Sequence, residues 1–114
     1  LRDEFVGRAL SALHDRPRHA WTLDDLAREV GLSRSMLAER FHHFVGTPPM
    51  QYLARWRIQL AATLLTSTMC TMAEVADRVG YGSEAALSRA FKRWVGLAPS
   101  AWRTGQRSAL LPAG

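Results

Sequence analysis

Ser35, Ala38, Glu39 and His42 stand at i, i+3, i+4 and i+7, the spacing of side chains that share one face of a helix. Ala85, Ser88, Arg89 and Lys92 repeat that arrangement fifty residues on, with Glu84 at the leading edge. Donors and acceptors on one helix face suit the major groove of B-DNA, which admits an α-helix and displays distinct base edges. Arg89 is the best single reader, because a guanidinium can pair bidentately with guanine O6 and N7. Ser88 can bond a base or a phosphate, and Ala85 can touch a thymine methyl. Glu39 occupies Arg89's place on the first helix; its carboxylate can accept from cytosine N4 but is repelled by phosphates. Arg34, Arg40, His43, Lys92 and Arg93, with the hydroxyls of Ser33 and Ser83, are placed for phosphates, which position a protein without specifying sequence. The competing reading is local pairing on a solvated face: Arg89 with a glutamate, or Glu39 with Arg40 or His43.

Other chemistries find no support. No nucleophile–base pair, metal-ligand spacing or phosphate-binding loop is present, so neither an enzyme nor a cofactor is expected. Adjacent His42 and His43 point to different helix faces, which argues against a metal site. The single Cys70 cannot form an internal disulfide and suits a reducing cytoplasm. No apolar run approaches the ~20 residues of a membrane span. The start, Leu1-Arg2-Asp3-Glu4, is acidic and unlike a signal peptide, and the absence of an initial Met points to a piece of a longer protein. The formal charge of +5 is unevenly spread. Ten basic and ten acidic residues balance up to Glu84, and the excess lies beyond it in Arg89, Lys92, Arg93, Arg103 and Arg107. One-sided basicity of this kind suits a polyanion.

The elements that would hold these faces are helical throughout, since no segment alternates like a strand. Val6, Ala9, Leu10 and Leu13 make a first amphipathic helix over residues 3–14, ended by Pro17. Thr22 caps a second, with Trp21 and Leu26 at the staple positions and Gly31 as its stop. Ser33 caps a third, in which Leu37, Phe41 and Phe44 point inward before Gly46. Pro49 opens a long helix reaching Ser67, about 27 Å at ~1.5 Å per residue, with Leu53, Trp56, Leu60 and Leu64 on its buried face. Thr71 and Glu74 form a capping box for the fifth helix, which buries Val75, Ala76 and Val79 and stops at Gly80. Ser83 caps the sixth, with Leu87, Phe91, Trp94 and Val95 inward and Gly96 at its end. A short final helix starts at Pro99. Trp21, Trp56, Trp94 and Trp102 all read as core, and Cys70 as the residue packing on Val75.

The halves repeat. Ala27, Val30 and Gly31 match Ala76, Val79 and Gly80 at an offset of 49; Leu37, Phe41, Val45, Gly46 and Pro49 match Leu87, Phe91, Val95, Gly96 and Pro99 at 50. Tyr52 corresponds to Trp102. The one-residue change falls in the turn, where insertion is tolerated. Each half is a short helix, a glycine turn and a longer helix, a helix-turn-helix pattern.

On these residues the sequence resembles the AraC/XylS-type transcriptional regulators. The second half, Val75-Ala76-Asp77-Arg78-Val79-Gly80-Tyr81 with Ser83, Phe91-Lys92-Arg93, Gly96 and Pro99, looks like that family's signature. The first half, Leu26-Ala27 with Ser33-Arg34-Ser35, Phe41, Gly46 and Pro49, resembles its first module. Residues 48–65, with Tyr52-Leu53 and Trp56-Arg57, look closest to members carrying a cupin-like N-terminal domain.

The expected fold is all-α and homeodomain-like: seven helices in two helix-turn-helix subdomains, 1–47 and 68–107, joined by a linker helix over 48–67, with a tail at 108–114. A rigid ~27 Å helix could hold two recognition helices near the ~34 Å spacing of successive major grooves. The resemblance implies a cytoplasmic, nucleoid-associated DNA-binding domain, usually C-terminal to an effector-binding or dimerisation domain. It implies double-stranded DNA as partner, RNA polymerase as a further one, and activation more often than repression. A recognition module of a transposase or recombinase, and a helical protein-interaction domain, are the other readings of the same pattern.

Overall fold

The computed structural model describes residues 3–110. Its seven helices are α1 (Glu4–Asp15), α2 (Leu23–Val30), α3 (Arg34–Val45), α4 (Pro49–Ser67), α5 (Met72–Val79), α6 (Glu84–Val95) and α7 (Pro99–Leu110). Among the described residues there is no strand, as the periodicity predicts. The chain divides into two compact units, Leu1–Trp56 and Arg57–Gly114, with the division inside α4. Residues 111–114 of the tail lie outside the described residues.

Local chemistry sets most helix ends. Asp3 is the cap of α1 and not its first residue: its Oδ1 accepts from the Phe5 and Val6 N–H groups at 2.9 and 3.2 Å. Thr22, Ser33 and Ser83 each accept from the N–H three residues on, at 3.0, 3.2 and 3.1 Å. Thr71 and Glu74 close the predicted box, with reciprocal bonds of 3.0 and 3.1 Å. Accepting the Thr71 N–H holds the Glu74 carboxyl below its usual range. α7 runs twelve residues and is not short.

In the first unit Val6, Ala9, Leu13, Leu26, Val30, Leu37, Phe41 and Leu53 form the core. Arg8 donates to the Val30 carbonyl at 3.2 Å, satisfying the open end of α2. The second unit buries Ile58, Ala61, Leu65, Val75, Val79, Leu87 and Phe91. Its turn repeats the first with one added residue, Gly82. At both Gly31 and Gly80 φ is positive, 81° and 100°, and the next N–H bonds back to Ala27 or Ala76 at 3.0 or 2.9 Å. A side chain with a Cβ would be strained there. The repeat extends to the aromatic pairs beneath the modules. Phe41 meets Tyr52 edge-on at 5.7 Å and 71°, and Phe91 meets Trp102 at 5.6 Å and 69°.

Three expectations are corrected. Phe44 is 39% exposed, and Val45 packs against the core in its place. Trp94 and Val95 are 41% and 37% exposed, so the inward face of α6 ends at Phe91. A helical stripe faces inward only as far as neighbouring helices extend to cover it. Finally, α4 has no single Leu53–Trp56–Leu60–Leu64 face. Its first turns give Leu53 to the first core and its later turns give Ile58, Ala61 and Leu65 to the second, leaving Trp56, Leu60 and Leu64 half-buried. A helix that serves two cores changes its buried face partway along.

Arg103 also has a role other than the one its charge suggests. Its guanidinium donates to the carbonyls of Leu65 at 2.9 Å, Cys70 at 2.7 Å and Thr68 at 3.5 Å. These are orphan acceptors at and just beyond the end of α4. Arg103 is therefore committed within the second unit, and Arg107 points one N–H at the Met69 sulfur, 3.2 Å away.

Candidate nucleic-acid interface

Leu37 and Phe41 anchor α3, and Leu87 and Phe91 anchor α6, all four fully buried. The opposite faces are thereby turned to solvent. Ser33, Arg34, Ser35, Glu39, His42 and His43 are exposed on α3 or its cap, with Ala38 and Arg40 half-buried. On α6 and its cap Ser83, Glu84, Ala85, Arg89, Lys92 and Arg93 are exposed and Ser88 half-buried. Ser35, Ala38, Glu39 and His42 thus share one accessible side of α3, as Ala85, Ser88, Arg89 and Lys92 do on α6, whereas Arg40 turns away toward Asp3.

The two faces differ electrostatically. Arg34 Nε lies 3.2 Å from Asp24 Oδ1 on α2. Arg40 Nη1 lies 3.3 Å from Asp3 Oδ2, with its guanidinium over the Phe5 ring at 5.3 Å. Glu39 pairs with neither Arg40 nor His43, and His43 instead sets its ring edge-on to Phe44 at 4.8 Å. On α6, Arg89, Lys92 and Arg93 make no ion pair or hydrogen bond with another described residue, so the competing Arg89–glutamate pair does not form. Beside this face, Tyr81 in the turn is half-buried beneath the Arg57 guanidinium, 5.8 Å from its ring centre. Burial pushes its phenol up, opposed by the Arg57 charge.

Sequence reasoning did not find Asp24 and Asp3 as counterions of the α3 arginines. No spacing rule connects residues 10 and 37 apart on different helices. Met36 was also passed over, although it is 46% exposed in the first turn of α3. A shallow groove lined by Leu23, Ser33, Arg34, Ser35 and Ala38 opens at that same end.

The helix-turn-helix domain family matches residues 26–105. An AraC-like transcription regulator of Streptomyces lividans is 50% identical over 103 residues, covering 90% of this chain and 34% of that protein. The HTH-type transcriptional regulator AlkR of Acinetobacter baylyi is 38% identical, over 86% of this chain and 32% of its own. Among solved structures, the DNA-binding domain of the global transcriptional factor AdpA, in complex with a target DNA, superposes with a TM-score of 0.88. It shares 28% identity over 92% of this chain and 95% of that one. The chain belongs to the AraC-type helix-turn-helix family. It spans about a third of the length of the curated relatives it matches.

Proposed function

We propose that the chain binds double-stranded DNA through α3 and α6, each laid in a major groove, and that it serves transcription regulation in a longer protein. The observation that carries this reading is the repeated exposed helix face, which on α6 holds three cations without a partner among the described residues. The AdpA relative, solved on its target DNA, supports the same partner. Base readers are Ser35, Ala38, Glu39 and His42 on α3 and Glu84, Ala85, Ser88 and Arg89 on α6. Phosphate contacts come from Ser33, Arg34, Arg40 and His43 around α3, and from Ser83, Lys92 and Arg93 around α6. Successive grooves, read by one chain, are the natural target of two modules in tandem. Activation, a preceding effector-binding or dimerisation domain and contact with RNA polymerase are what the family resemblance implies for the whole protein.

Arg89 provides the test. Arg89→Ala costs about 1–3 kcal/mol on a duplex selected from random DNA and relaxes preference at one base pair. A scrambled duplex at the same salt loses much less, because a single charge leaves the phosphate field. Glu39→Ala leaves nonspecific affinity unchanged or raises it. Equal losses on both duplexes for Arg89→Ala would reduce that residue to a phosphate contact.

A further inference from the structure

The recognition helices differ by one formal charge in sequence and by more in the fold. α3 carries Arg34 and Arg40 against Glu39, and α6 carries Arg89, Lys92 and Arg93 against Glu84. Both α3 arginines already face a carboxylate from outside α3, Asp24 on α2 and Asp3 at the cap of α1. Asp3 is the more committed counterion, since its side chain is 6% exposed, caps α1 and meets an Arg40 that also covers the Phe5 ring. The Arg34–Asp24 pair is exposed and weak, so Arg34 can turn toward a phosphate. Asp24 would then remain beside that phosphate and oppose the contact. Glu39, with no partner among the described residues, adds a negative charge at the centre of the α3 face. Whole units show the same bias: residues 1–56 hold eight Lys/Arg against seven Asp/Glu, and residues 57–114 hold seven against three.

Building on the DNA reading above, we propose that the two modules divide the binding work. α6 supplies most of the ionic attraction to phosphates, beside its base reading through Arg89. α3 works mainly at base edges, through Ser35, Met36, Ala38 and the Glu39 carboxylate, while the phosphate contacts of Arg34 and Arg40 are offset by Asp24 and Asp3. A thioether on the first turn suits the thymine methyl, an apolar contact that releases no counterion. Under this division Lys92 and Arg93 on α6 set how steeply affinity falls with salt, and α3 adds to the base reading of Arg89 without adding to that slope.

The test measures log K against log salt concentration for the whole chain on a selected and a scrambled duplex, by fluorescence anisotropy. Each neutralised phosphate contributes about 0.9 to the slope. K92Q/R93Q makes the slope shallower by up to ~1.8 and weakens both duplexes alike. D24N releases Arg34 and makes the slope steeper by ~0.9. Asp24→Ser, also neutral and favourable at a helix start, repeats the measurement should Asp24→Asn lose helicity. An unchanged slope in folded D24N or D24S shows that Arg34 was never masked, and an unchanged slope in K92Q/R93Q shows that α6 is not the ionic module. Either result overturns the division while leaving DNA binding intact. Failure of the unaltered chain to bind any duplex at low salt removes the DNA reading itself, and the division with it.

Discussion

Phe91→Ala destabilises the second unit by about 3–5 kcal/mol, while Trp94→Ala, three residues on, costs less than ~1 kcal/mol. Phe91 is fully buried and meets Trp102 edge-on at 5.6 Å, so truncation removes both transfer energy and a ring–ring contact and leaves a cavity. Trp94 is 41% exposed and has less to lose despite its larger side chain. Small domains have about 5–15 kcal/mol in all, so the Phe91 variant should be largely unfolded at moderate urea. Urea titration followed by circular dichroism checks both, with Phe41→Ala as the matched change in the first unit. A Trp94 loss as large as that at Phe91 would restore the inward stripe that the helical period suggests.

Arg103→Ala is expected to cost about 2–3 kcal/mol, and Arg107→Ala less than ~0.5 kcal/mol. The first figure rests on the 2.9 and 2.7 Å bonds to the Leu65 and Cys70 carbonyls, which truncation leaves without their charged donor. For a unit of this size the loss corresponds to a fall of roughly 10–20 °C in melting temperature. Arg103→Lys recovers little, because an ammonium is a point charge and cannot fork to carbonyls on separate turns. Thermal melts of the three variants decide it. Equal melting temperatures for the Arg103 and Arg107 variants would mean the carbonyls are as well served by water.

Both predictions concern places where the sequence pattern and the fold part company. The caps at Thr22, Ser33, Thr71 and Ser83, the left-handed turns at Gly31 and Gly80 and the buried stripes of α2 and α5 were readable in advance. Each depends on residues within one or two turns of each other. The internal repeat made the two modules mutually confirming, down to the exchange of Tyr52 for Trp102 against equivalent phenylalanines.

The exposed faces of α3 and α6 followed as well, because a buried Leu–Phe pair four residues apart leaves the opposite side to solvent. Their electrostatics did not follow. Formal charge assigns +1 to α3 and +2 to α6, yet the carboxylates that face Arg34 and Arg40 come from α2 and from the cap of α1. The excess charge after Glu84 suits a polyanion as a sum, whereas Arg103 within it is turned onto the end of α4.

What this sequence determines by itself is whatever 3.6-residue periodicity and capping can encode: seven helices, two turns and the sides of α3 and α6 left to solvent. The tertiary structure decided where each stripe stops being covered, which turns of α4 serve which core, and which carboxylates the α3 arginines meet. Those outcomes depend on side chains brought together from different helices, 10 to 38 residues apart in the chain, and a helical period carries no information across that distance.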